Sequence, residues 1–278
     1  MQRKLRTRFG SILLTITMFL SLIPITASAN NETATVTNRE ELEEALLNTS
    51  VSTIIIANNI DMGTDMWTPA VIERPLVING QENQILNMKV NAGVLKPSGT
   101  GVAGDGGSCD YYAGFIGNNK STLTINDLSF SNAEVDIDPL TVNMKSTGSS
   151  ILAVVCANNS GGTLTYNNVS VDSSVVRGYT KVGILHGFSQ DNGKFTANKC
   201  SVTNCDVVLE ADGSDKEACF SGVLVGYDGN NLAKTNGIKI SNSSCIIDSS
   251  VNWGENEIKT AENGVKYVTA YGYDWGLT

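Results

Sequence analysis

The feature that most constrains this chain is an internal repeat of short apolar runs. Gly114-Phe115-Ile116-Gly117 is followed by Leu123-Thr124-Ile125-Asn126-Asp127-Leu128-Ser129-Phe130, and Val182-Gly183-Ile184-Leu185-His186-Gly187 by Phe195-Thr196-Ala197-Asn198-Lys199-Cys200-Ser201-Val202. A degenerate copy runs from Leu152-Ala153-Val154-Val155-Cys156 to Leu164-Thr165-Tyr166-Asn167-Asn168-Val169-Ser170-Val171, and a fourth from Ser221-Gly222-Val223-Leu224-Val225-Gly226 to Ile238-Lys239-Ile240-Ser241-Asn242. Leu123, Leu164, Phe195 and Ile238 are then separated by 41, 31 and 43 residues, so insertions fall in loops. A unit of two or three very short strands cannot bury an apolar face alone, and units of this kind must stack. A sandwich would need longer strands and hairpin dipeptides at regular intervals. Stacking puts equivalent residues about 4.8 Å apart. Asn126, Asn167 and Asn198 obey the offsets of 41 and 31, as a stacked Asn ladder at a corner requires.

Composition agrees. The 278 residues include 27 Gly and 29 Asn, the residue types that accept the left-handed backbone of tight corners, while charged residues make up 17%. The first 29 residues read as a secretory signal: Arg3, Lys4, Arg6 and Arg8, an apolar stretch from Ser11 to Ile25, and the cleavage-site pattern Ala27-Ser28-Ala29. The apolar stretch is short for a span of about 20 residues. The expected product is secreted and extracellular, or held at the cell surface by contacts, with no membrane insertion after cleavage. The full chain has a formal charge of −9. Cleavage would leave 15 Lys and Arg against 28 Asp and Glu, a charge of −13, with Arg39, Arg74 and Arg177 as the remaining arginines. That balance argues against nucleic acid and anionic membranes as partners.

Residues 30–278 read as a single domain. A capping helix is expected over 37–48, with Thr37 and Glu40 at capping-box spacing and Leu42, Ala45 and Leu46 as its apolar stripe. First coils follow over 51–91, a Gly/Ser-rich loop over 92–110, repeat coils over 111–260 and a C-terminal cap over 261–278. Gly99-Thr100-Gly101-Val102-Ala103-Gly104 matches the dinucleotide fingerprint formally, but no helix pattern follows it and no βαβ pattern surrounds it.

The Gly-x-[Ile/Leu]-x-Gly element, followed by an apolar-x-apolar-Asn run, resembles the GLUG-type repeats of secreted bacterial proteins. The helix, the Ile-rich strand, Asp61-Met62-Gly63 and Trp67-Thr68-Pro69 are similar to the opening of many such surface proteins. The resemblance covers residues 36–260. It implies a right-handed parallel β-helix like that of pectate lyases and an adhesin-like role. The copy at 114–117 is one residue short between its glycines, and the copy at 152–156 has none.

A β-helix also hosts polysaccharide lyases and hydrolases, whose chemistry needs a base beside cations or bound Ca²⁺, or a carboxylate pair. The nearest candidates are Asp136 with Asp138, Glu134 stacked near Asp206, and Arg177 with Lys181. Outward carboxylates of a solenoid are more often plain solvated side chains. His186, the one His, matches Ile116, Val155 and Val225 in the other units, which favours packing over proton transfer. No cofactor is expected, Ca²⁺ entering with the enzyme alternative. No Cys-x-x-Cys pair occurs among the six cysteines. Cys200 takes the place of Leu128 and Val169, and Cys245 that of Val171 and Val202, which favours buried thiols; one or two disulfides stay open, with Cys205 and Cys219 the more accessible.

Tyr111, Tyr112, Tyr227 and Asp228 are candidate glycan-binding residues. Tyr271, Tyr273 and Trp275 suit an end cap, and Asn118-Asn119 and Asn230-Asn231 suit turns. Three readings result: a non-catalytic interaction module contacting glycans or surface proteins, a polysaccharide lyase or glycoside hydrolase on the same scaffold, and a structural spacer or piece of a longer repeat protein. The first is favoured. A flat Asn/Thr/Ser face would support it, and a groove of three or more charged side chains would support the enzyme.

Overall fold

Alternation in runs such as Thr122-Leu123-Thr124-Ile125-Asn126 turns Leu123 and Ile125 inward, both 0% exposed, and leaves Thr122, Thr124 and Asn126 facing out. A computed structural model describes residues 32–91, 94–95, 111–136, 150–178, 181–209, 220–228, 233–247, 257–260 and 266–269. The signal segment and residues 271–278 of the expected end cap lie outside the described residues.

Five stacked sheets are built from equivalent strands of successive coils. Sheet 1 has seven strands: Glu32–Val36, Val51–Ile56, Leu76–Asn79, Thr122–Asn126, Thr163–Asn167, Lys194–Asn198 and Lys234–Asn236. Sheet 2 has six: Ile60–Asp61, Gln84–Leu86, Ser129–Ser131, Ser170–Asp172, Ser201–Thr203 and Lys239–Ser241. Sheet 3 stacks Lys89–Val90, Glu134–Asp136, Val175–Gly178, Asp206–Leu209 and Ser244–Ile247. Sheet 4 stacks Val94–Leu95, Tyr111–Ala113, Ser150–Leu152, Lys181–Gly183 and Phe220–Gly222. Sheet 5 stacks Ala70–Ile72, Ile116–Asn119, Cys156–Ser160, His186–Gln190 and Val225–Asp228. Neighbouring strands are parallel except for Val94–Leu95 against Tyr111–Ala113. The chain visits the sheets in the order 1 to 5 and returns to sheet 1, the all-β path of a parallel β-helix, consistent with a right-handed solenoid. An antiparallel pair, Glu257–Thr260 with Lys266–Thr269, lies against the last strands of sheets 3 and 4.

The offsets of 41 and 31 are the observed register, Leu123 pairing with Leu164 and Leu164 with Phe195. The third is corrected from 43 to 38: Thr196 pairs with Lys234 and Ser201 with Lys239, so Ile238 stands over Cys200. Ala233-Lys234-Thr235-Asn236 fills the rung assigned to Ile238, and a run with one small apolar residue gave no strand signal. Cys245 is corrected likewise: it pairs with Val207 in sheet 3, and Val202 pairs with Ile240.

The three coils from Thr122 to Asp228 hold five strands each rather than two or three. The Gly-bracketed run is a bend between sheets 4 and 5, with Ile184 and Leu185 at its apex. Its backbone is bonded from coil to coil, Phe115 N donating to Val154 O and Val154 N to Ile184 O, each at 2.9 Å. The bend brings two backbones together, which is why it needs small residues. A Cβ at Gly187 would lie 2.9 Å from Ile151 Cγ2 and 3.0 Å from Leu152 O, and one at Gly226 2.7 Å from Gly187 O. In the copy without glycines, Ala153 and Ala157 occupy the two positions.

Two corners use left-handed residues in register. Asp127, Asn168, Lys199 and Gly237 turn sheet 1 into sheet 2, and Asn87, Asn132, Ser173, Asn204 and Asn242 turn sheet 2 into sheet 3, all with φ between 49° and 66°. The core is a set of columns such as Leu76, Leu123, Leu164 and Phe195, each at most 1% exposed. Each such side chain contributes about 1.5–3 kcal/mol by leaving water.

The helix spans Arg39–Leu47 and buries Leu42, Ala45 and Leu46 as expected. Its cap sits one residue later than the sequence suggested: Asn38 Oδ1 accepts from Glu41 N at 3.0 Å, and Glu41 Oε2 accepts from Thr37 N at 2.7 Å. A strand unforeseen in the sequence, Glu32–Val36, precedes it and pairs in parallel with Val51–Ile56. The Arg74 guanidinium takes the carbonyls of Ala45, Leu46 and Val51, and burial lowers its pKa. Arg39 binds Glu43 and the carbonyls of Met62, Asp65 and Met66 and lies 5.9 Å from the Trp67 ring centre. Two of the three arginines beyond residue 29 thus hold the first coils together.

Candidate recognition face

The outer surfaces of sheets 1 and 2 form rows of short polar side chains fixed by the register. Thr124, Thr165 and Thr196 stack in one row, and Asn79, Asn126, Asn167, Asn198 and Asn236 in the next. Thr122 and Thr163 form a third row that ends at Lys194. Across the corner, Ser129, Ser170 and Ser201 stack, as do Ser131, Asp172, Thr203 and Ser241. Neighbouring rungs are about 4.8 Å apart, and residues two apart along a strand about 6.7 Å.

Hydrogen bonds along the Asn row and between Ser129 and Ser170 set those side chains. The Asn ladder is continuous: Asn126 Nδ2 donates to Asn79 Oδ1 at 3.3 Å, Asn167 to Asn126 at 2.8 Å and Asn198 to Asn167 at 2.9 Å. Ser170 Oγ lies 2.6 Å from Ser129 Oγ, and Asn168 Nδ2 donates to Asp127 Oδ1 at 2.8 Å. The inner amides, Asn126 and Asn167, each spend one N–H and part of their oxygen on ladder neighbours, which leaves each a second N–H. Thr122 and Thr163 are exposed, and Thr124, Thr165 and Thr196 are half-buried. The result is an array of hydroxyls and amides on two strand faces that meet at the Asp127, Asn168 and Lys199 corner, its Asn row pre-set by its own bonding and suited to matching a partner's hydroxyls at little ordering cost.

The opposite side is closed. Tyr112, Ile151 and Ala157 form an apolar cluster apart from the main core, with Phe188 packed on it. Gln190 Nε2 donates to Ser160 Oγ at 2.7 Å and to the Tyr112 hydroxyl at 3.4 Å, and Asn158 Nδ2 to Ser160 Oγ at 2.8 Å and Asn118 Oδ1 at 3.0 Å. Tyr112 is 0% exposed, so it offers no open ring face. Tyr227 is half-buried and stacks on Phe188 at 5.2 Å, and Lys181 Nζ lies 5.0 Å from the Phe188 ring centre. Tyr111 and Asp228 belong to the strands Tyr111–Ala113 and Val225–Asp228. Asn118 and Asn119, expected in a turn, are strand residues at most 2% exposed, and Asn119 Nδ2 donates to Asn159 Oδ1 at 2.8 Å. Neighbouring coils supply the partners these buried amides need. Asn230-Asn231 lies outside the described residues.

The candidate acid–base residues are spread out. Asp136 stands beside Arg177 in sheet 3. Glu134 and Asp206 share one column with Val175 between them, which sets their backbones about 9.6 Å apart. Asp206 Oδ1 accepts from Ser244 Oγ at 2.6 Å. Arg177 and Lys181 fall in sheets 3 and 4. Asp138 lies outside the described residues. Among the described residues, no three His, Cys, Asp or Glu side chains gather as a metal site would require.

His186 occupies the column of Ile116, Cys156 and Val225, so Cys156 replaces Val155 in the expected match. It is 0% exposed, its ring 4.8 Å from that of Phe195. Nδ1 lies 2.9 Å from Cys156 O, a pure acceptor, so Nδ1 carries the proton and Nε2 accepts from Ser189 Oγ at 2.9 Å. Burial pushes its pKa down to about 4. Cys156, Cys200 and Cys205 are free thiols and buried, and Cys245 is buried as well. Cys200 fills the column of Leu128 and Val169 as expected, whereas Cys205, expected among the accessible thiols, is 0% exposed. Burial raises the Cys200 and Cys205 thiols to about 11, so they act as small apolar fillers. Cys109 and Cys219 lie outside the described residues.

The profile of a family described as "Putative pectate lyase-like adhesive domain" matches residues 33–176, just over half of the 278. The chain belongs to this pectate lyase-like adhesive domain family. The match runs from the first strand of sheet 1 through Val176 of sheet 3 and takes in the Thr and Asn rows as far as Asn167. The protein is thus an adhesive, interaction-type domain on a β-helix scaffold. No curated protein matches the sequence. A solved structure from Bacteroides ovatus, titled a "putative immunoglobulin A1 protease", is 13% identical over 83% of this chain and 81% of that one, with a TM-score of 0.34, a superposition too loose to bear on fold or function.

Proposed function

We propose that this adhesive domain is a secreted or cell-surface module that binds neutral glycans without turning them over, and that the outer face of sheets 1 and 2 does the binding. The observation that carries the reading is the regular array of Thr, Ser and Asn side chains, continuous over the coils from Thr122 to Asn198, with its Asn row and its Ser129–Ser170 pair held by ladder hydrogen bonds. Sugars present hydroxyls on a rigid ring. A pre-set plane of short donors and acceptors pairs with them at little entropic cost, and repetition of the rungs gives many weak contacts that add along a polymer. An acidic surface of −13 in the mature sequence turns away polyanions, so an uncharged polysaccharide fits better than pectate.

A panel of immobilised plant, bacterial and host glycans tests this. Retention on uncharged polymers, with no unsaturated product at ultraviolet wavelengths and no reducing-end release, is the expected result. Turnover that vanishes on mutating Asp136 or Asp206 would establish the enzyme instead. No retention on any glycan would leave a protein partner or the spacer role.

A further inference from the structure

Several columns on the outer face of sheets 1 and 2 change character partway along the stack. Thr124, Thr165 and Thr196 are followed in their column by Lys234, and Thr122 and Thr163 by Lys194. Ser129, Ser170 and Ser201 are followed by Lys239. At the corner between the sheets, Asp127 and Asn168 are followed by Lys199. Residues 194–203 and 234–241, which form this part of the face, hold four lysines and no carboxylate. All four are exposed, and none is ion-paired with a described residue; the described ion pairs are Arg39 with Glu43 and Lys120 with Glu73.

The described carboxylates beside the patch lie at its margin. Asp172 accepts from Asn204 Nδ2 at 3.0 Å and from Ser173 Oγ at 2.8 Å, Asp206 from Ser244 Oγ at 2.6 Å, and Asp191 sits in the turn before Lys194. Beyond residue 247, the pair Glu257–Thr260 and Lys266–Thr269 lies against the last strands of sheets 3 and 4. Lys234 stands one rung from Thr196 and two residues along from Lys194, so the two lysine backbones are about 8 Å apart. Lys239 stands one rung from Ser201, which follows Lys199 by two residues. Gly237 leaves room for the Lys199 stem, since a Cβ there would lie 3.6 Å from Lys199 Cγ. Flexible four-carbon stems at this spacing let ammonium groups from two coils converge on one small anion.

We infer, on the reading that this face binds glycans, that the glycan carries an isolated acidic sugar, whose carboxylate is held by Lys194, Lys199, Lys234 and Lys239 while the Thr, Ser and Asn rows pair with its neutral sugars. A lone carboxylate on the patch senses ammonium groups within a Debye length of about 8 Å and is screened from the acidic remainder of the chain. A long polyanion instead runs along the stack past Asp172 and Asp127 and meets the net negative charge of the protein. The lysines thus select for a sparse charge on an otherwise neutral chain.

Titration of the secreted protein with two matched pairs, lactose against sialyllactose and xylotetraose against xylotriose bearing one methylglucuronate, tests this by NMR. The acidic member of at least one pair is expected to bind about tenfold tighter at low salt, and the difference to shrink to about twofold or less at about 1 M salt. Lys194→Thr, Lys199→Asn, Lys234→Thr and Lys239→Ser together give each column the residue of the coil before. This variant, with unchanged circular dichroism, is expected to bind neutral members as the wild type does and to lose the preference for acidic ones. Equal affinity or no binding within both pairs, a preference that survives in the variant, or tighter binding of polygalacturonate than of the acidic members would each overturn the inference. Equal affinity for members that do bind would leave the glycan-binding rows standing. Lysine-dependent binding of acidic members alone would support the patch and count against the rows.

Discussion

The two sides of the solenoid use the same repeat in opposite ways. On sheets 1 and 2 the strands alternate, Leu164 and Val171 inward and Thr165 and Ser170 outward, so one set of residues builds the core and the other is left for solvent or a partner. At the bend between sheets 4 and 5 both surfaces are closed: His186 and Cys156 pack inward, while Gly187 and Ala157 lie under Ile151 and Tyr112. Separating the two tasks lets the flat side vary in chemistry while the bend carries stability.

The largest effect that sharpens this contrast is expected at the bend. Gly187→Ala places a methyl 2.5 Å from Ala157 O and 2.9 Å from Ile151 Cγ2, and should cost about 3 kcal/mol in urea denaturation. A change of similar size is expected with pH. His186 has a folded-state pKa of about 4, below its ordinary 6.5, so folding is favoured most when the ring is neutral in both states. Its contribution is fully present above pH 6.5 and is lost as pH falls toward 4, on the order of 3 kcal/mol in all. His186→Leu should remove that part of the slope, read as the difference between the two proteins' urea midpoints at pH 7 and pH 4.5. Asn167→Ala interrupts the ladder at its middle and leaves Asn126 and Asn198 each short of a partner, a loss of about 1–2 kcal/mol. Thr165→Val, on the flat side, should change stability by no more than about 0.5 kcal/mol and serves as the contrast to Gly187→Ala.

The flat side was the legible side. Leu123, Leu164 and Phe195 alternate with polar residues, and an alternating pattern reports strand, face and register together. The same logic failed where alternation lapses. Ala233-Lys234-Thr235-Asn236 has one small apolar residue, so its rung was assigned to Ile238 in sheet 2. Asn118 and Asn119 read as a turn because paired Asn residues favour corners, and amides of the adjacent coil, with the Ser121 backbone as a second partner of Asn119, satisfy them as buried strand residues. Glycines at 183, 187 and 226 were legible as a motif but not as a mechanism, since their cause is the approach of a backbone that sequence spacing does not show. The helix cap slipped by one because Thr37 and Asn38 are both good caps and Glu40 and Glu41 each follow at three. For the recognition face, the offsets of Asn126, Asn167 and Asn198 report a ladder, and strand pairing adds which Thr and Ser residues stand in rows beside it.

The most direct test of this division of labour is one binding measurement on the flat side. Thr165→Arg combined with Ser170→Arg places two long side chains at the centre of the rows without touching the core. Surface plasmon resonance on an uncharged glycan that retains the wild-type protein should show affinity reduced by about tenfold or more, with the urea midpoint unchanged. Undiminished affinity in a folded double variant would contradict the assignment of binding to sheets 1 and 2.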